Sequence, residues 1–322
     1  MKIARVIVAV LLSSLCVATA RAGRDVVVAA DGSGDFTTIQ SAIDTAPAGE
    51  PRVIRIKRGT YREQINVPKE KTQLTLIGED AATTVIMWNW NAKTPGEDGK
   101  PVGTGRSASV TVRANDFTAE NLTFENISGD NGQAVALAAS ADRQIYRRCR
   151  MIGWQDTLYA NGGRQLFQEC YIEGRVDFIF GSATAVFDRC ELHSKNGGYV
   201  TAASTAKTSP FGYVFLDCKL TGVGKEKAFL GRPWRPDAAV AFIRCDLGAH
   251  IHPRGWDNWG NRANEATARF AEYDCTGPGT DLAERVAWAK DITDEEAAKY
   301  TVENILAGDD HWNPIKPEAE KK

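Results

Sequence analysis

Two aspartates, Asp156 and Asp177, could perform acid–base or nucleophilic chemistry because they occupy equivalent positions in consecutive sequence repeats. Each lies seven residues after a cysteine, Cys149 for the first and Cys170 for the second. If the repeats stack as parallel strands, equivalent residues lie roughly 4.8 Å apart. Two carboxylates that close do not both ionise easily, so one should hold a proton while the other acts as nucleophile or base. The alternative is a purely structural pair at the surface or in turns.

Two glutamines accompany these aspartates. Gln155 adjoins Asp156, and Gln133 lies 22 residues before Gln155, which places it about one repeat away. A neutral side-chain amide is a suitable hydrogen-bond donor for a developing oxyanion. Either glutamine could instead satisfy neighbouring backbone groups, so the glutamines alone do not separate a catalytic role from a structural one.

A degenerate repeat of 20 to 30 residues positions these side chains. It starts with a copy at Asn121 and then recurs around six cysteines: Cys149, Cys170, Cys190, Cys218, Cys245 and Cys275. Each unit has room only for short segments of alternating apolar residues, which favour strands, as in 109–112, 185–187 and 213–216. A leucine-rich repeat would need a leucine framework that is missing. We therefore predict an all-β chain that forms a right-handed, single-stranded parallel β-helix, a solenoid with short capping helices.

Short helices are predicted near both ends of this solenoid. Residues 38–46 place apolar side chains on one helical face, and Pro47 stops the helix. At the other end, Thr293 opens a capping-box pattern, and helical sequence resumes after a break at 302–306. The Gly- and Pro-rich stretch 93–105 is interpreted as a loop that leaves one rung of the solenoid.

The N-terminus has the features of a secretory signal peptide. Lys2 and Arg5 precede an apolar run, and Ala20-Arg21-Ala22 matches an A-x-A cleavage pattern. We therefore expect residues 1–22 to be removed and residues 23–322 to form a single β-helix domain. Export through the Sec pathway would make the protein extracellular or periplasmic.

Composition excludes several classes of partner. Of the 322 residues, 43% are hydrophobic and 25% are charged, as in globular chains. Removing the three basic residues of segment 1–22 from the 39 Lys and Arg leaves 36 against 41 Asp and Glu, a net charge of −5. This acidic balance argues against a nucleic-acid partner.

After residue 23, no segment has the roughly 18 apolar residues of a membrane helix. We expect a monomer with no membrane partner.

Five segments resemble, in order, the five motifs of pectin methylesterases, also called pectinesterases. They are GTYRE at 59–63, QAVAL at 133–137, GWQDTL at 153–158, DFIFG at 177–181 and LGRPW at 230–234. The resemblance runs from about residue 26 to the C-terminus and includes GWDNWG at 255–260. The loop around 88–106 and the absence of a long inhibitor-like pro-region are similar to the bacterial branch of the family.

The resemblance implies a role for each matching residue. Asp177 matches the family's nucleophile and Asp156 its general acid/base. Gln133 and Gln155 match the oxyanion donors, and Arg232 matches the arginine that steadies the nucleophile. The substrate would be pectin, whose galacturonate methyl esters are hydrolysed with release of methanol. Five further residues match positions that contact the sugar chain: Trp234, Tyr159, Phe180, Val176 and Thr104.

No cofactor and no metal ion are expected. His250 and His252 could share a strand face, but no third ligand is spaced nearby. The sequence also lacks a G-x-S-x-G nucleophile elbow, a Walker A motif and a G-x-G-x-x-G motif. The six repeat cysteines are expected to form a core ladder, in which one disulfide, such as Cys170 to Cys190, would be within reach.

Two other functional classes remain open from the residues themselves. A retaining glycoside hydrolase also uses two carboxylates, about 5 to 5.5 Å apart. A solenoid that binds polysaccharide without catalysis is the second alternative. The two glutamines and Arg232 favour acyl transfer over glycoside hydrolysis, and a noncatalytic binder has no reason to stack two aspartates beside two glutamines.

Overall fold

The computed structural model describes residues 25–315, and the predicted signal peptide therefore lies outside the described residues. The chain forms short strands that stack in parallel as a right-handed β-helix. The strands are β1 (Val26–Val28), β2 (Arg52–Ile56), β3 (Gly59–Tyr61), β4 (Ile65–Val67), β5 (Leu74–Gly78), β6 (Thr84–Trp88), β7 (Val110–Val112), β8 (Thr118–Glu120), β9 (Thr123–Asn126), β10 (Leu137–Ala139), β11 (Gln144–Arg147), β12 (Arg150–Ile152), β13 (Leu158–Ala160), β14 (Arg164–Gln168), β15 (Tyr171–Gly174), β16 (Ile179–Gly181), β17 (Thr184–Asp188), β18 (Glu191–Ser194), β19 (Gly198–Ala203), β20 (Tyr213–Leu216), β21 (Lys219–Gly222), β22 (Ala228–Pro233), β23 (Ala239–Ile243), β24 (Asp246–Leu247), β25 (Arg269–Tyr273) and β26 (Lys290–Asp291). The predicted fold class is confirmed.

Three parallel sheets form the walls of the solenoid within residues 25–315. Sheet A has the order β1-β2-β5-β8-β11-β14-β17-β20-β23-β25-β26. Sheet B has the order β3-β6-β9-β12-β15-β18-β21-β24, and sheet C the order β4-β7-β10-β13-β16-β19-β22. Each full turn of the chain therefore adds one strand to each sheet.

A one-residue bend separates sheet A from sheet B in most turns. The residue before each of the six cysteines has a positive φ, from 49° at Asp274 to 55° at Glu169. This left-handed conformation turns the chain from sheet A into sheet B within a single residue, and it is uncommon outside glycine. The repetition of one strained bend explains why the cysteines mark the sequence period so regularly.

The interior is built from side chains that stack on their equivalents in neighbouring turns. In sheet A the rings of Tyr146, Phe167, Phe187, Phe215 and Phe242 follow one another at centroid distances of 4.9, 4.8, 4.5 and 4.4 Å. The six cysteines form a second column beside these rings, and all six are free thiols. The expected ladder is confirmed, whereas the disulfide between Cys170 and Cys190 is not formed. The core therefore consists of columns in which each turn contributes one side chain. The strand register determines which side chains stack on one another.

The helices cover parts of the solenoid. They are α1 (Ile39–Thr45), α2 (Gly103–Arg106), α3 (Asp294–Ala297) and α4 (Val302–Leu306), with 3₁₀ turns at Arg262–Ala266 and Leu282–Glu284. The Glu63 carboxylate accepts hydrogen bonds from Ile39 N and Gln40 N, so a residue of the first motif caps the start of α1. Thr293 and Glu296 form the predicted capping box of α3. Within residues 25–315, none of these helices has the length and apolarity needed to cross a membrane.

The segment between β6 and β7 (89–109) leaves the solenoid and lies against sheet C. The expected loop contains one short helix, α2, which the sequence did not predict. The side-chain amide of Gln64 donates hydrogen bonds to Arg106 O (2.9 Å) and Ala108 O (3.0 Å), which ties the end of this segment to β4. The segment thus forms a raised wall on the outer face of sheet C.

Candidate active site

Asp156 and Asp177 lie at equivalent points of consecutive turns, each two residues before a strand of sheet C. Leu158 of β13 pairs with Ile179 of β16, which sets this register. The φ angles are 64° for Asp156 and 53° for Asp177, so both residues adopt the left-handed conformation. The amide of Asp156 donates to Val176 O over 3.1 Å. Backbone strain at both positions is consistent with a functional constraint, because such strain clusters at active sites.

Arg232 pairs with only one of the two aspartates. Its Nε donates to Oδ1 of Asp177 over 2.9 Å, and its Nη2 donates to Oδ2 over 2.6 Å. This two-point contact holds the carboxylate in one orientation. Arg232 reaches it from β22 because Gly231 allows close strand packing: a Cβ at Gly231 would lie 2.0 Å from Thr201 Oγ1. The guanidinium therefore fixes the orientation of the Asp177 carboxyl group and favours its ionised form.

The two aspartates are both buried, but their surroundings differ. Only 7% of Asp156 and 5% of Asp177 are exposed. Burial raises the pKa of the Asp177 carboxyl, and the hydrogen bonds and charge of Arg232 oppose that rise. Burial also raises the pKa of Asp156, the negative charge of Asp177 raises it further, and it reaches about 8. Burial and the charge of Asp177 thus favour the protonated form of Asp156, whereas Arg232 favours the ionised form of Asp177.

Gln133 and Gln155 lie side by side at the edge of this pair. They form a parallel bridge between neighbouring turns, and Ala134 N donates to Gln155 O over 3.0 Å. Gln133 is exposed and Gln155 is half-buried. Within residues 25–315, neither side-chain amide makes a hydrogen bond, so both remain available to a ligand. The structure thus brings two free amide donors next to two carboxyl groups whose surroundings favour different protonation states.

The outward residues of sheet C form a floor beside these groups. Register places Tyr159, Phe180, Ala202 and Arg232 in one column on successive strands. The rings of Tyr159 and Phe180 stack at 4.4 Å with an interplanar angle of 6°, and Trp234 meets Phe180 edge-on at 5.9 Å. Stacked aromatic faces of this kind suit the apolar face of a sugar ring.

All ten residues that the sequence singled out line a single cavity of about 390 Å³. They are Thr104, Gln133, Gln155, Asp156, Tyr159, Val176, Asp177, Phe180, Arg232 and Trp234. The cavity spans residues far apart in the chain, from the wall segment 89–109 to β22. Its lining combines two carboxyl groups, a guanidinium, two side-chain amides and an aromatic floor, which are the kinds of group that acyl transfer requires.

Sequence reasoning missed Trp259, which also lines the cavity. Its ring lies over the Arg232 guanidinium, with 3.9 Å between the guanidinium carbon and the ring centroid. It is 53% exposed, so it shields one side of the Arg232–Asp177 pair while remaining open to solvent. Trp259 belongs to segment 255–260, which is part of the resemblance described above, but no role was predicted for it from the sequence.

Lys195 is a second residue that the sequence did not identify. Its ammonium donates to Gly153 O over 3.0 Å, lies 4.5 Å from the centroid of Trp154 and pairs with Glu173 at 2.6 Å. These contacts hold the turn that carries Gln155. No sequence signal connects Lys195 with a turn 40 residues earlier, because only the stacking of the repeats brings them together.

Comparisons with known proteins agree with this site. A family profile described as pectinesterase matches residues 25–309. Pectinesterase 31 of Arabidopsis thaliana is 44% identical over 286 residues, which cover 86% of this chain and 90% of that protein. The structure of pectin methylesterase from carrot is similar with a TM-score of 0.83 and 34% identity, covering 90% of this chain and 95% of the carrot chain.

A further solved structure is a pectin methylesterase in complex with a hexasaccharide. It matches with a TM-score of 0.80 and 33% identity, covering 91% of this chain and 98% of that chain. The expected assignment to the bacterial branch is not supported, because the Arabidopsis and carrot relatives are plant proteins. The profile match over nearly the whole described chain, together with the 44% identity, establishes that the chain belongs to the pectinesterase family.

Proposed function

We propose that this site hydrolyses the methyl esters of galacturonate units in pectin, with Asp177 as nucleophile and Asp156 as general acid and base. One observation carries the assignment of roles: Arg232 pairs with Asp177 through two hydrogen bonds and, among residues 25–315, Asp156 forms no ion pair. The two carboxyl groups therefore differ in protonation at neutral pH.

The first half of the reaction forms an acyl-enzyme. An oxygen of ionised Asp177 attacks the ester carbonyl carbon, and the carbonyl oxygen becomes an oxyanion. The free amides of Gln133 and Gln155 donate hydrogen bonds to this oxyanion. Protonated Asp156 gives its proton to the departing methoxide, so methanol leaves and the galacturonyl group remains attached to Asp177 as an anhydride.

The second half of the reaction restores the enzyme. Asp156, now ionised, accepts a proton from a water molecule that attacks the acyl carbon, and the same two amides stabilise the second oxyanion. Collapse of this intermediate releases the galacturonate carboxyl group and returns Asp177 to its ionised state beside Arg232. The reaction uses no metal ion or cofactor.

The rest of the cavity would hold the sugar chain. Tyr159, Phe180 and Trp234 offer aromatic faces to pyranose rings, while Val176 and Thr104 border the reacting unit. A relative in the family has been solved with a bound hexasaccharide, which supports a polysaccharide as the ligand of this face.

The decisive test is a pH-stat assay on highly methylated pectin with methanol measured in parallel. We expect base uptake and methanol release in equal amounts, without new reducing ends, and unchanged rates after dialysis against EDTA at constant salt. New reducing ends without methanol would instead identify a glycoside hydrolase. Binding of pectin with neither product would identify a noncatalytic binder.

We further propose that the protein is exported and acts outside the cytoplasm as a monomer. Residues 1–22 would be removed as a signal peptide, leaving residues 23–322 as a single catalytic domain. The net charge of −5 that follows from the sequence gives no support to a nucleic-acid partner. N-terminal sequencing of the secreted protein and its elution volume in gel filtration test these statements.

A further inference from the structure

An ion pair between Arg175 and Asp130 joins two loops that lead from sheet B into sheet C. Arg175 opens the loop that carries Asp177, and Asp130 lies in the loop 127–132, which leads to Gln133. Nη1 of Arg175 donates to Oδ2 of Asp130. Neither the sequence motifs nor the proposed reaction gives this pair a role.

The ion pair crosses over a third loop that lies between these two. Strands β9, β12 and β15 are neighbours in sheet B, so the loops that follow them belong to three consecutive turns. The middle loop, 153–157, carries Gln155 and Asp156. At roughly 4.8 Å per turn, the two outer loops lie about 10 Å apart. The pair therefore ties the loop of Gln133 to the loop of Asp177 across the loop that carries the other two polar groups.

The backbone at the Arg175 end of the pair is fixed. Its N–H donates to Trp154 O over 2.7 Å, and its carbonyl oxygen accepts a hydrogen bond from Tyr199 N over 3.0 Å. Gly198 lets the next turn pack closely here, because a Cβ at Gly198 would lie 2.2 Å from Arg175 O. Arg175 is anchored to the turns on both sides, so its guanidinium can hold Asp130 in place.

The Asp130 end of the pair lies in a loop with few other contacts. Gly129 and Gly132 have φ angles of 76° and 105°, a region in which glycine keeps unusual conformational freedom. Among the described residues, the contact with Arg175 is the only hydrogen bond or ion pair that joins residues 128–131 to another turn. An exposed ion pair adds little to global stability, but this one restrains a loop that is otherwise loosely attached.

Gln133 follows directly on this loop and depends on it for its position. Its carbonyl side is held by backbone hydrogen bonds: Ala92 N donates to Gln133 O over 2.8 Å, and Ala134 N donates to Gln155 O over 3.0 Å. Its own N–H forms no hydrogen bond with any described residue, and its side chain is exposed. The direction of its side-chain amide is therefore set by the backbone of the loop before it.

We propose that the ion pair of Asp130 with Arg175 positions Gln133, by holding the loop 127–132 so that the Gln133 amide faces the oxyanion formed when Asp177 attacks the ester. The inference rests on the proposed function. The oxyanion exists only during the reaction, so correct placement of this amide lowers the energy of the transition state and leaves the affinity for the bound ester unchanged. Arg175 and Asp130 are thus positioning residues, which act through Gln133.

Steady-state kinetics on highly methylated pectin test the proposal. Arg175→Gln and Asp130→Asn should each lower kcat about five- to tenfold with KM unchanged, because the amide is displaced and not removed, whereas loss of a whole oxyanion donor costs about 10²-fold or more. The double variant should be no slower than either single variant, since both substitutions break the same contact. Arg175→Lys keeps the charge and should retain more activity than Arg175→Gln.

The signs of the two single effects separate positioning from electrostatic attraction of an acidic substrate. Arg175→Gln removes a positive charge and would weaken binding of a polyanion, whereas Asp130→Asn removes a negative charge and would strengthen it. Positioning predicts a loss of kcat in both variants. Opposite shifts in KM with unchanged kcat would overturn the proposal.

The Gln133→Ala variant tests the route by which the pair acts. In this background Arg175→Gln should cause no further loss of kcat, because the amide that it positions is absent. In Gln155→Ala the loss should persist in full. An equal loss in both backgrounds would overturn the proposal. Normal kcat in Gln133→Ala alone would contradict both the proposal and the proposed oxyanion role of Gln133.

Asp217 and Arg244 form the matched control pair. Their Oδ1 and Nε atoms lie 2.8 Å apart, and the side chains are 46% and 42% exposed, against 36% for Asp130 and 38% for Arg175. They lie at bends between sheets A and B, so Arg244→Gln should leave kcat and KM unchanged. Thermal unfolding of the variants should match that of the wild type. A loss of kcat in Arg244→Gln as large as in Arg175→Gln would overturn the proposal. Absence of methanol release by the wild type would instead contradict the proposed function.

Discussion

Two columns of identical side chains lie in neighbouring parts of this solenoid, and they behave differently. The thiol column runs through six turns, and its sulfur atoms donate to backbone carbonyls of the preceding turn, such as Cys190 to Phe167 O at 3.3 Å. The carboxyl column has only two members, Asp156 and Asp177, whose environments differ. Neutral groups can repeat through a stack, but charged groups of one sign cannot.

The difference shows how a repeat can give rise to a catalytic site. Burial raises the pKa of the Cys149, Cys170, Cys190 and Cys218 thiols well above their usual values, so these four stacked thiols stay neutral and do not repel one another. Two stacked carboxylates would repel, and the structure avoids this by giving one of them Arg232 and favouring the protonated form of the other. Asymmetry between equivalent positions is therefore what makes the carboxyl column reactive.

The largest expected effect comes from removing either member of the carboxyl column. Asp177→Asn should lower kcat by about 10³-fold or more because it removes the proposed nucleophile, and Asp156→Asn should have a comparable effect because it removes the proposed proton carrier. Circular dichroism and pectin binding should remain normal. Near-normal turnover by Asp177→Asn would contradict the assignment of the nucleophile.

Removing the partner of the nucleophile should have the next largest effect. Arg232→Gln should lower kcat/KM by about 10²-fold. The guanidinium holds the pKa of Asp177 down, so its loss should raise the pH at which half of kcat/KM is lost on the acidic side. Arg232→Lys keeps the charge but loses the two-point contact, so its acidic limb should shift less.

A pH series of kcat/KM on the three proteins checks this prediction. If Arg232→Gln leaves the acidic limb unmoved and raises only KM, Arg232 contacts the substrate rather than controlling Asp177.

The stability of Asp156→Asn should depend on pH in a defined direction. The folded-state pKa of Asp156, about 8, lies above its ordinary value of 3.8, so the folded protein binds this proton more tightly than the unfolded chain. Wild-type stability therefore falls as pH rises from about 4 to about 8. Asparagine removes this dependence, so the variant should be more stable than the wild type by roughly 4 to 6 kcal/mol at pH 8.

Thermal unfolding of both proteins at pH 4 and pH 8 measures this difference. The variant's advantage should be much smaller at pH 4, where the wild-type carboxyl is protonated in the folded state and still about half protonated in the unfolded chain. An equal advantage at the two pH values would mean that the proton on Asp156 is not its cause.

The smallest effect is expected in the thiol column. Cys190→Ala should lower the free energy of unfolding by about 1 kcal/mol, because it leaves a small cavity among neighbouring side chains. The loss should be the same at pH 5 and pH 8, since the thiol is neutral at both. Turnover on pectin should be unchanged. Urea unfolding measures this loss of unfolding free energy. If the loss differed between pH 5 and pH 8, the thiol column would be titrating, and it would no longer differ from the carboxyl column in this respect.

The sequence by itself determined the period, the fold class and the equivalence of Asp156 and Asp177. These follow from local rules: short alternating segments, a recurring cysteine and a fixed distance from that cysteine to each aspartate. The ten site residues could also be named in advance, because five ordered motifs resemble one family. Their grouping in one cavity of about 390 Å³ required the structure.

Only the tertiary structure decided which aspartate pairs with Arg232 and which side chains surround the two carboxyl groups. Arg232 follows Asp177 by 55 residues, and its choice between two equivalent carboxyl groups depends on strand register and close packing at Gly231. The contacts of Lys195, the ring of Trp259 over Arg232 and the ion pair of Arg175 with Asp130 depend on which turns become neighbours. Loop lengths vary from turn to turn, so the period alone does not set these side-chain positions, whereas the hydrogen-bonded pairing of strands does.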